Sequence, residues 1–174
     1  MTWITTFTGR HFDYASPNID SICISDIAHA LSNECRYAGH CPQFYSVAQH
    51  SVLTSMIVPP AFALEALLHD AAEAYCKDLP SPLKHLLPDY FAIESRIDAL
   101  IRRRFGLPEI MSPEVKRADL IMLATEHRDL EIDPHTEWPM LAGIPLADIC
   151  VFPLTHSQAE RAFFERWDQL NVAA

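Results

Sequence analysis

The chain has 174 residues, 49% of them hydrophobic, and this size and composition predict one domain, residues 1–174, with a single buried core. Its 13 Lys and Arg against 23 Asp and Glu give a formal charge of -10, which would repel a nucleic-acid backbone, so long DNA or RNA is excluded as the expected partner. The sequence has neither an apolar run of the length that a membrane helix needs nor a signal-peptide pattern, so we expect a cytoplasmic protein without a membrane partner.

Glycine is scarce and proline is abundant, and the prolines lie between the apolar segments, which predicts an all-α bundle. At the N-terminus, the short β-branched runs 4–6 and 22–24 predict a small β-hairpin that caps the helices. Ser25 is then expected to cap a helix over residues 26–32. Pro42 is expected to open a second helix that runs to about residue 58.

Residues 61–76 read AFALEALLHDAAEAYC, and this run of Ala and Leu without a breaker predicts one continuous, deeply buried helix. A proline-rich loop follows it. Residues 89–105 then predict an amphipathic helix that ends at Gly106 and carries arginines in its last turn, where the helix dipole favours cations.

The C-terminal third carries two further helix starts. Ser112 and Pro113 predict the N-cap and first residue of a helix that runs to about residue 130. Thr155 and Gln158 form a capping box that opens the last helix. Residues 133–153 between them contain four prolines and are expected to form a long loop.

Titratable residues on the apolar helices predict a metal site. The pair His69 and Asp70 on a buried helix costs several kcal/mol unless something compensates it, and a metal ion would do so. His50 and Asp119 lie on two other apolar segments, and two imidazoles with two carboxylates suit a divalent Mn, Co, Fe, Zn or Ni ion with positions open for water and substrate. Glu73 follows His69 by four residues, on the same side of the helix, where it could take a proton from a metal-bound water.

These residues resemble a known family. His50, H69-D-A-A-E73, K77-D-L-P-S-P-L-K84 and V-K116-R-A-D119 are similar to the H…HD…D signature of HD-domain phosphohydrolases, in particular the YfbR-like 5'-deoxynucleotidases and the small phage dATP triphosphohydrolases. The resemblance covers residues 24–128 approximately. It implies an HD-domain helical bundle, and it assigns the metal ligands to the same four side chains.

The resemblance also implies roles for five residues near the metal. Asp78 would support catalysis beside the water-activating glutamate. Arg36 stands where the family has an arginine that holds substrate phosphate, and Tyr37 replaces the tryptophan often found beside it. Lys84 and Lys116 fall where family members contact phosphate or the neighbouring sugar, as expected of point charges toward phosphate oxygens.

The expected activity is metal-dependent hydrolysis of (deoxy)nucleotides, either as a dNTP triphosphohydrolase acting on dATP or a similar substrate, or as a 5'-deoxynucleotidase, with Mg accompanying the substrate phosphates. Three alternatives stay open: a ppGpp (alarmone) 3'-pyrophosphohydrolase, a di-iron oxygenase that would draw on His127 and His135, and a non-catalytic nucleotide-sensing HD module. The resemblance further implies a homo-oligomer, a dimer or a hexamer. The apolar segment 140–146, with Trp138, is a candidate contact surface.

Overall fold

The computed structural model describes residues 1–172. Across these residues the chain forms eight α-helices and one two-stranded antiparallel sheet, so the predicted helical fold with an N-terminal hairpin is confirmed at that level. None of the helices in this described part is long and apolar enough to cross a membrane.

The regular elements follow one another closely. The two strands are β1 (Trp3–Thr5) and β2 (His11–Asp13). The helices are α1 (Ile24–Asn33), α2 (Val47–Ile57), α3 (Ala63–Leu67), α4 (Glu73–Cys76), α5 (Ser81–Lys84), α6 (Pro88–Phe105), α7 (Pro113–Asp129) and α8 (His156–Val172). Single 3-10 turns lie at Ile19–Ser21, Tyr37–Gly39, Pro60–Phe62 and Pro139–Leu141.

The hairpin joins the main core through one aromatic residue. Ile4 pairs with Phe12 across the two strands, and the Phe12 ring is fully buried and stacks on Tyr75 at a centroid distance of 4.3 Å. The second predicted β-run, 22–24, is wrong as a strand. Ile22 instead enters the core, and its neighbours lead directly into α1.

Helix α2 lies at the centre of the bundle. It packs against α1, α3, α7 and α8, and most of its residues are buried. The main hydrophobic cluster around it is formed by side chains such as Ile27, Val52, Leu67, Ile97 and Phe163. Each such buried side chain contributes about 1.5–3 kcal/mol through the hydrophobic effect, so side chains of α2 are held in well-defined positions.

The predicted starts of the first two helices are wrong. Helix α1 begins at Ile24, and the preceding residue, Cys23, is its N-cap. Helix α2 begins at Val47 instead of residue 42, because Ser46 is the N-cap and its Oγ accepts a hydrogen bond from the Gln49 N–H at 3.2 Å.

Residues 37–46 form a closed loop, and Pro42 lies within it. Tyr37 and Ala38 have positive φ angles of 57° and 51°, which turn the chain, and the Arg36 N–H donates to the Tyr45 carbonyl at 2.9 Å. The loop therefore returns to its starting point, next to Arg36, before α2 begins.

The continuous helix predicted over residues 61–76 is interrupted between α3 and α4. His69 Nδ1 lies 2.7 Å from the Ala66 carbonyl, which in an unbroken α-helix would accept from the Asp70 N–H. The following N–H groups bond three residues back, so the Glu73 N–H donates to the Asp70 carbonyl at 3.0 Å. This 3-10 pattern aligns side chains three residues apart, and so brings Glu73 over Asp70.

The remaining helix boundaries agree with the sequence analysis. Gly106 ends α6 with a φ of 66°. Ser112 is the N-cap of α7, and the Thr155 N–H donates to Gln158 Oε1 at 3.0 Å as the capping box requires. The segment predicted as a loop before α6 contains the short helix α5.

Candidate metal centre

The four predicted metal ligands converge on one point of the bundle. Helix α2 supplies His50, the turn between α3 and α4 supplies His69 and Asp70, and α7 supplies Asp119. His50 Nε2 lies 3.1 Å from Asp119 Oδ1 and 3.3 Å from His69 Nε2. Asp70 Oδ2 lies 3.1 Å from His69 Nε2 and 3.7 Å from His50 Nε2. The geometry therefore brings together side chains from three separate parts of the chain.

These separations suit a first-row metal ion. Ligand atoms at about 2.1 Å from an ion are about 3.0 Å apart at neighbouring octahedral positions and about 3.4 Å apart at tetrahedral ones. The tightest group is His50, His69 and Asp119, whose ligand atoms all lie within 4.8 Å of one another. Asp70 Oδ2 lies near the Nε2 atoms of the same two histidines, so the four groups could surround one ion.

Both imidazoles direct their Nε2 atoms at the convergence point. His50 Nδ1 lies 2.5 Å from Glu126 Oε1, and His69 Nδ1 lies 2.7 Å from the Ala66 carbonyl oxygen. A carbonyl and an ionised carboxylate only accept hydrogen bonds, so the neighbours assign the proton to Nδ1 in both rings. In the neutral rings each Nε2 would present a lone pair to the other and to Asp119, an arrangement that either protons or a metal ion can stabilise.

The pKa shifts of these groups also indicate that the carboxylates favour positive charge between them. Burial acts against ionisation of Asp70, yet the neighbouring His69 lowers the pKa of this carboxyl to about 2. Burial also lowers the pKa of the His69 imidazole, but the charges of Asp70 and Asp119 raise it well above its ordinary value. In the absence of an ion, protons on the imidazoles supply the positive charge, and a metal ion would replace those protons.

The balance of buried charge matches a divalent ion. Arg36 Nε lies 3.3 Å from Glu126 Oε2, and these two charges offset each other. Arg36 Nη1 also lies 3.6 Å from Asp70 Oδ2, so with neutral imidazoles one positive charge faces the three carboxylates of Glu126, Asp70 and Asp119, and two negative charges remain. A divalent cation at the convergence point would neutralise them.

Glu126 was not identified from the sequence. Its side chain is fully buried on α7, and its carboxylate accepts hydrogen bonds from the hydroxyls of Tyr37 at 2.6 Å and Tyr45 at 2.8 Å, in addition to its contact with His50. Although burial raises it, the pKa of Glu126 is lowered to about 2 by Arg36 and His50. The available sequence signal was its spacing, because it follows Asp119 by seven residues and so lies on the same face of α7.

Arg36 and Tyr37 belong to the same buried network. The Arg36 side chain is 11% exposed, and its Nη1 lies 3.6 Å from Asp70 Oδ2, so the guanidinium links Asp70 to Glu126. The Tyr37 hydroxyl points to Glu126. Substrate contact by these two residues stays a prediction.

A cleft of about 280 Å³ opens beside His69 and Asp70. Glu73 lines it with a side chain that is 8% exposed, and its Oε1 accepts a hydrogen bond from Lys84 Nζ at 3.2 Å. Within residues 1–172, Glu73 Oε2 is buried without a hydrogen-bond partner. Burial and the charges of Asp70 and Asp78 raise the pKa of Glu73 well above its ordinary value. A proton acceptor with a raised pKa therefore faces the cleft next to the metal ligands.

Comparison with other proteins gives a clear relationship. No family model matches the chain. Over 172 residues it is 56% identical to the Escherichia coli K12 protein described as uncharacterized protein YfdR, a match that covers 98% of this chain and 97% of YfdR. The chain belongs to the YfdR family. A further relative, an uncharacterized protein of Rhodobacter capsulatus, is 35% identical over 126 residues, which are 67% of this chain and 64% of that protein.

Two further candidate residues of this YfdR-family protein differ in burial. Asp78 is partly buried, and burial together with the charge of Asp70 raises its pKa, which indicates a position near the metal ligands. Lys116 is exposed in the first turn of α7. Its backbone N–H donates to the Ser112 carbonyl at 3.1 Å, but among the described residues its side chain has neither a hydrogen bond nor an ion pair. Its contact with substrate stays a prediction.

The histidines of the oxygenase alternative lie apart from the ligand group. His127 packs its ring against Trp138 at a centroid distance of 4.7 Å, and His135 is exposed in the loop after α7. Within the described part of the chain, neither belongs to the group of side chains that could hold a metal. Trp138 also approaches the Tyr37 ring, so this part of the predicted contact segment folds over the protein itself, while Met140 remains 58% exposed.

Proposed function

We propose that this protein is a metal-dependent phosphohydrolase of the HD superfamily that acts on (deoxy)nucleotides. The observation that carries the proposal is the convergence of the two imidazole Nε2 atoms, from His50 and His69, with the carboxylates of Asp70 and Asp119. The order His…His-Asp…Asp along the chain supports the HD assignment.

The four ligands fit a divalent transition ion such as Mn, Co, Fe, Zn or Ni by donor type and by charge. When bound, such an ion supplies an activated water and polarises a phosphate oxygen.

Glu73 is suited to general base chemistry. Its carboxyl is buried, has a raised pKa and lies above Asp70 in the 3-10 turn, so it can take the proton of an attacking water. Lys84 contacts Glu73 from within the same cleft and also donates to Glu94 at 2.8 Å. Its ammonium can neutralise negative charge that builds up on the phosphoryl oxygens.

The cleft suits a ligand with both phosphate and apolar parts. Its volume is near the lower end of the range for small-molecule sites, about 300 Å³, and so suits a ligand of mononucleotide size. Phe91, 60% exposed, and Met111 offer apolar surface on which a base can stack. Glu94 and Asp98 make the cleft acidic, so bound phosphates would need Lys84 and accompanying Mg to balance their charge.

The test is a nucleotide panel with the purified protein and Mn or Co. Deoxynucleoside monophosphates, deoxynucleoside triphosphates and guanosine tetraphosphate are incubated separately, and the products are identified. Release of phosphate indicates a nucleotidase, triphosphate a triphosphohydrolase, and pyrophosphate an alarmone hydrolase. Binding of a nucleotide that is returned unchanged would favour the sensing module and would contradict the proposed activity.

Two variants separate metal binding from chemistry. Glu73→Gln is expected to retain metal binding and to lower turnover by about 10²- to 10⁴-fold, because the proton acceptor is lost. His69→Ala is expected to lose both. Glu165→Gln on the exposed face of α8 is the matched control and should behave as the wild type. Wild-type turnover in the Glu73 variant would refute the role given to that residue.

A further inference from the structure

The Glu126 carboxylate lies against the Nδ1 side of His50, while the Nε2 side of that ring faces the other ligands. We propose that Glu126 is a positioning residue of the metal centre, which holds His50 in the tautomer whose Nε2 can bind an ion. This inference rests on the metal site of the proposed function and adds to it a residue outside the four ligands.

The contacts of Glu126 favour one tautomer of the His50 ring. Oε1 lies 2.5 Å from His50 Nδ1 and accepts from the Tyr45 hydroxyl at 2.8 Å, and Oε2 accepts from the Tyr37 hydroxyl at 2.6 Å. The side chain is fully buried, so water does not compete for these positions. An ionised carboxylate cannot donate, and Nδ1 therefore carries a proton, so that in the neutral ring Nε2 is the nitrogen left free for an ion.

The surroundings of His50 explain why its tautomer matters for binding an ion. Its side chain is also fully buried, and Thr54 Oγ1 lies 3.5 Å from Nε2. A proton on Nε2 instead of Nδ1 would point at His69 Nε2, only 3.3 Å away, and would block the ion. Glu126 excludes that tautomer because its two negatively charged oxygens stabilise only a donor at Nδ1.

A glutamine at position 126 separates positioning from simple packing. The amide keeps the size of the side chain but replaces one oxygen by an NH₂ group. With its NH₂ toward His50, the amide would favour the wrong tautomer. In the opposite orientation, its NH₂ would face the Arg36 guanidinium, which is also a donor. Either orientation disturbs the network that holds Nε2 toward the ion.

The experiment compares Glu126→Gln with Tyr45→Phe by calorimetric titration with Mn or Co. Both substitutions change one polar group of the same buried network, but Tyr45→Phe leaves the His50–Glu126 contact in place. Glu126→Gln is expected to weaken metal binding about 10- to 100-fold, the usual effect of losing such an outer contact, and Tyr45→Phe by less than about threefold. Equal affinities in the wild type and Glu126→Gln would overturn the proposal.

A spectroscopic readout tests the tautomer directly in the wild type, even if Glu126→Gln does not fold. In ¹⁵N NMR of the zinc-loaded protein, His50 should carry its proton on Nδ1 and the metal on Nε2. The reverse assignment would overturn the proposal. Metal binding without turnover would refute only the proposed hydrolase, whereas a wild type that binds neither zinc nor Mn would refute both.

Discussion

Raising the pH should destabilise the metal-free protein and so widen its difference in stability from the metal-loaded protein. In the folded, metal-free protein the pKa values of His50 and His69 are raised above their ordinary values, in spite of burial, by the carboxylates around them. Their contribution to stability is fully present below the unfolded pKa of about 6.5, and it is lost as the pH rises through the higher folded pKa. Metal-free protein should therefore lose stability as the pH rises above about 6.5.

Metal binding has the opposite sign, because the ion needs both Nε2 atoms without protons. While both histidines are protonated, binding releases up to two protons, so the affinity increases up to about 100-fold for each pH unit. At a fixed excess of metal this corresponds to about 2.7 kcal/mol per pH unit. A domain of this size changes its Tm by about 2–4 °C per kcal/mol, so the Tm difference between the two forms should widen by up to about 5–11 °C per pH unit.

The assay is thermal unfolding from about pH 6 to about pH 8, with a chelator in one series and saturating Mn in the other. In the His69→Gln variant the Tm difference should increase with pH no more steeply than the release of one proton allows. His135→Gln, at an exposed histidine outside the site, is the control and should keep the wild-type slope. A Tm difference that stays constant over this range would refute the competition between protons and metal at the four ligands.

Three substitutions test other parts of the structure. Lys77 has a φ of 78° and a ψ of 150°, a backbone conformation that favours glycine. The free energy of unfolding of the Lys77→Gly variant should therefore be about 1–3 kcal/mol larger than that of Lys77→Ala. Equal values in urea denaturation would contradict this strain. Glu65→Ala should cost about 1–3 kcal/mol in the same assay, because Arg102 and the Ser112 N–H both lose their bond to Glu65 Oε1 while Arg102 keeps its ion pair with Asp98, and a loss below about 0.5 kcal/mol would contradict the role of this pair. Phe91→Ala should raise KM for a hydrolysed nucleotide about 5- to 100-fold without changing the affinity for Mn, and an unchanged KM would exclude base stacking on this ring.

Local chemistry explains which elements the sequence predicted well. Helix ends marked by one strong residue, such as the left-handed Gly106 after α6, were found at the predicted place. The capping box of Thr155 and Gln158 likewise marked the start of α8, because its hydrogen bonds form within four residues. Such signals depend little on the rest of the fold.

The start of α2 was missed because its cause is not local. Pro42 is a good first residue for a helix, but the chain between Arg36 and Tyr45 closes into a loop through a backbone hydrogen bond and residues with positive φ. Gly39 is one of these residues and a usual turn signal, but the two residues before it, Tyr37 and Ala38, also have positive φ angles, which their sequence does not indicate. Ser46 then supplies the cap that Pro42 lacks.

The metal ligands and Glu126 differ in how far the sequence could reveal them. His69 and Asp70 stood out because a titratable pair among Ala and Leu needs compensation. Glu126 lies in T-E-H-R-D, a polar stretch that reads as the exposed end of a helix, yet its side chain is fully buried. Only the fold brings Tyr37, Tyr45 and His50 around it, since these residues come from a loop and a helix far away in the chain.

The interrupted helix explains how two consecutive residues come to face the same point. On a regular α-helix neighbouring side chains leave the axis about 100° apart, so His69 and Asp70 would diverge. By accepting the His69 Nδ1–H, the Ala66 carbonyl both fixes the tautomer of that ring and is withdrawn from the helical bond to Asp70. The same hydrogen bond therefore loosens the helix and directs His69 Nε2 to within 3.1 Å of Asp70 Oδ2. The deviation from the predicted helix is thus part of the site. The hydrogen bond from His69 Nδ1 takes the place of the lost helical bond at the Ala66 carbonyl.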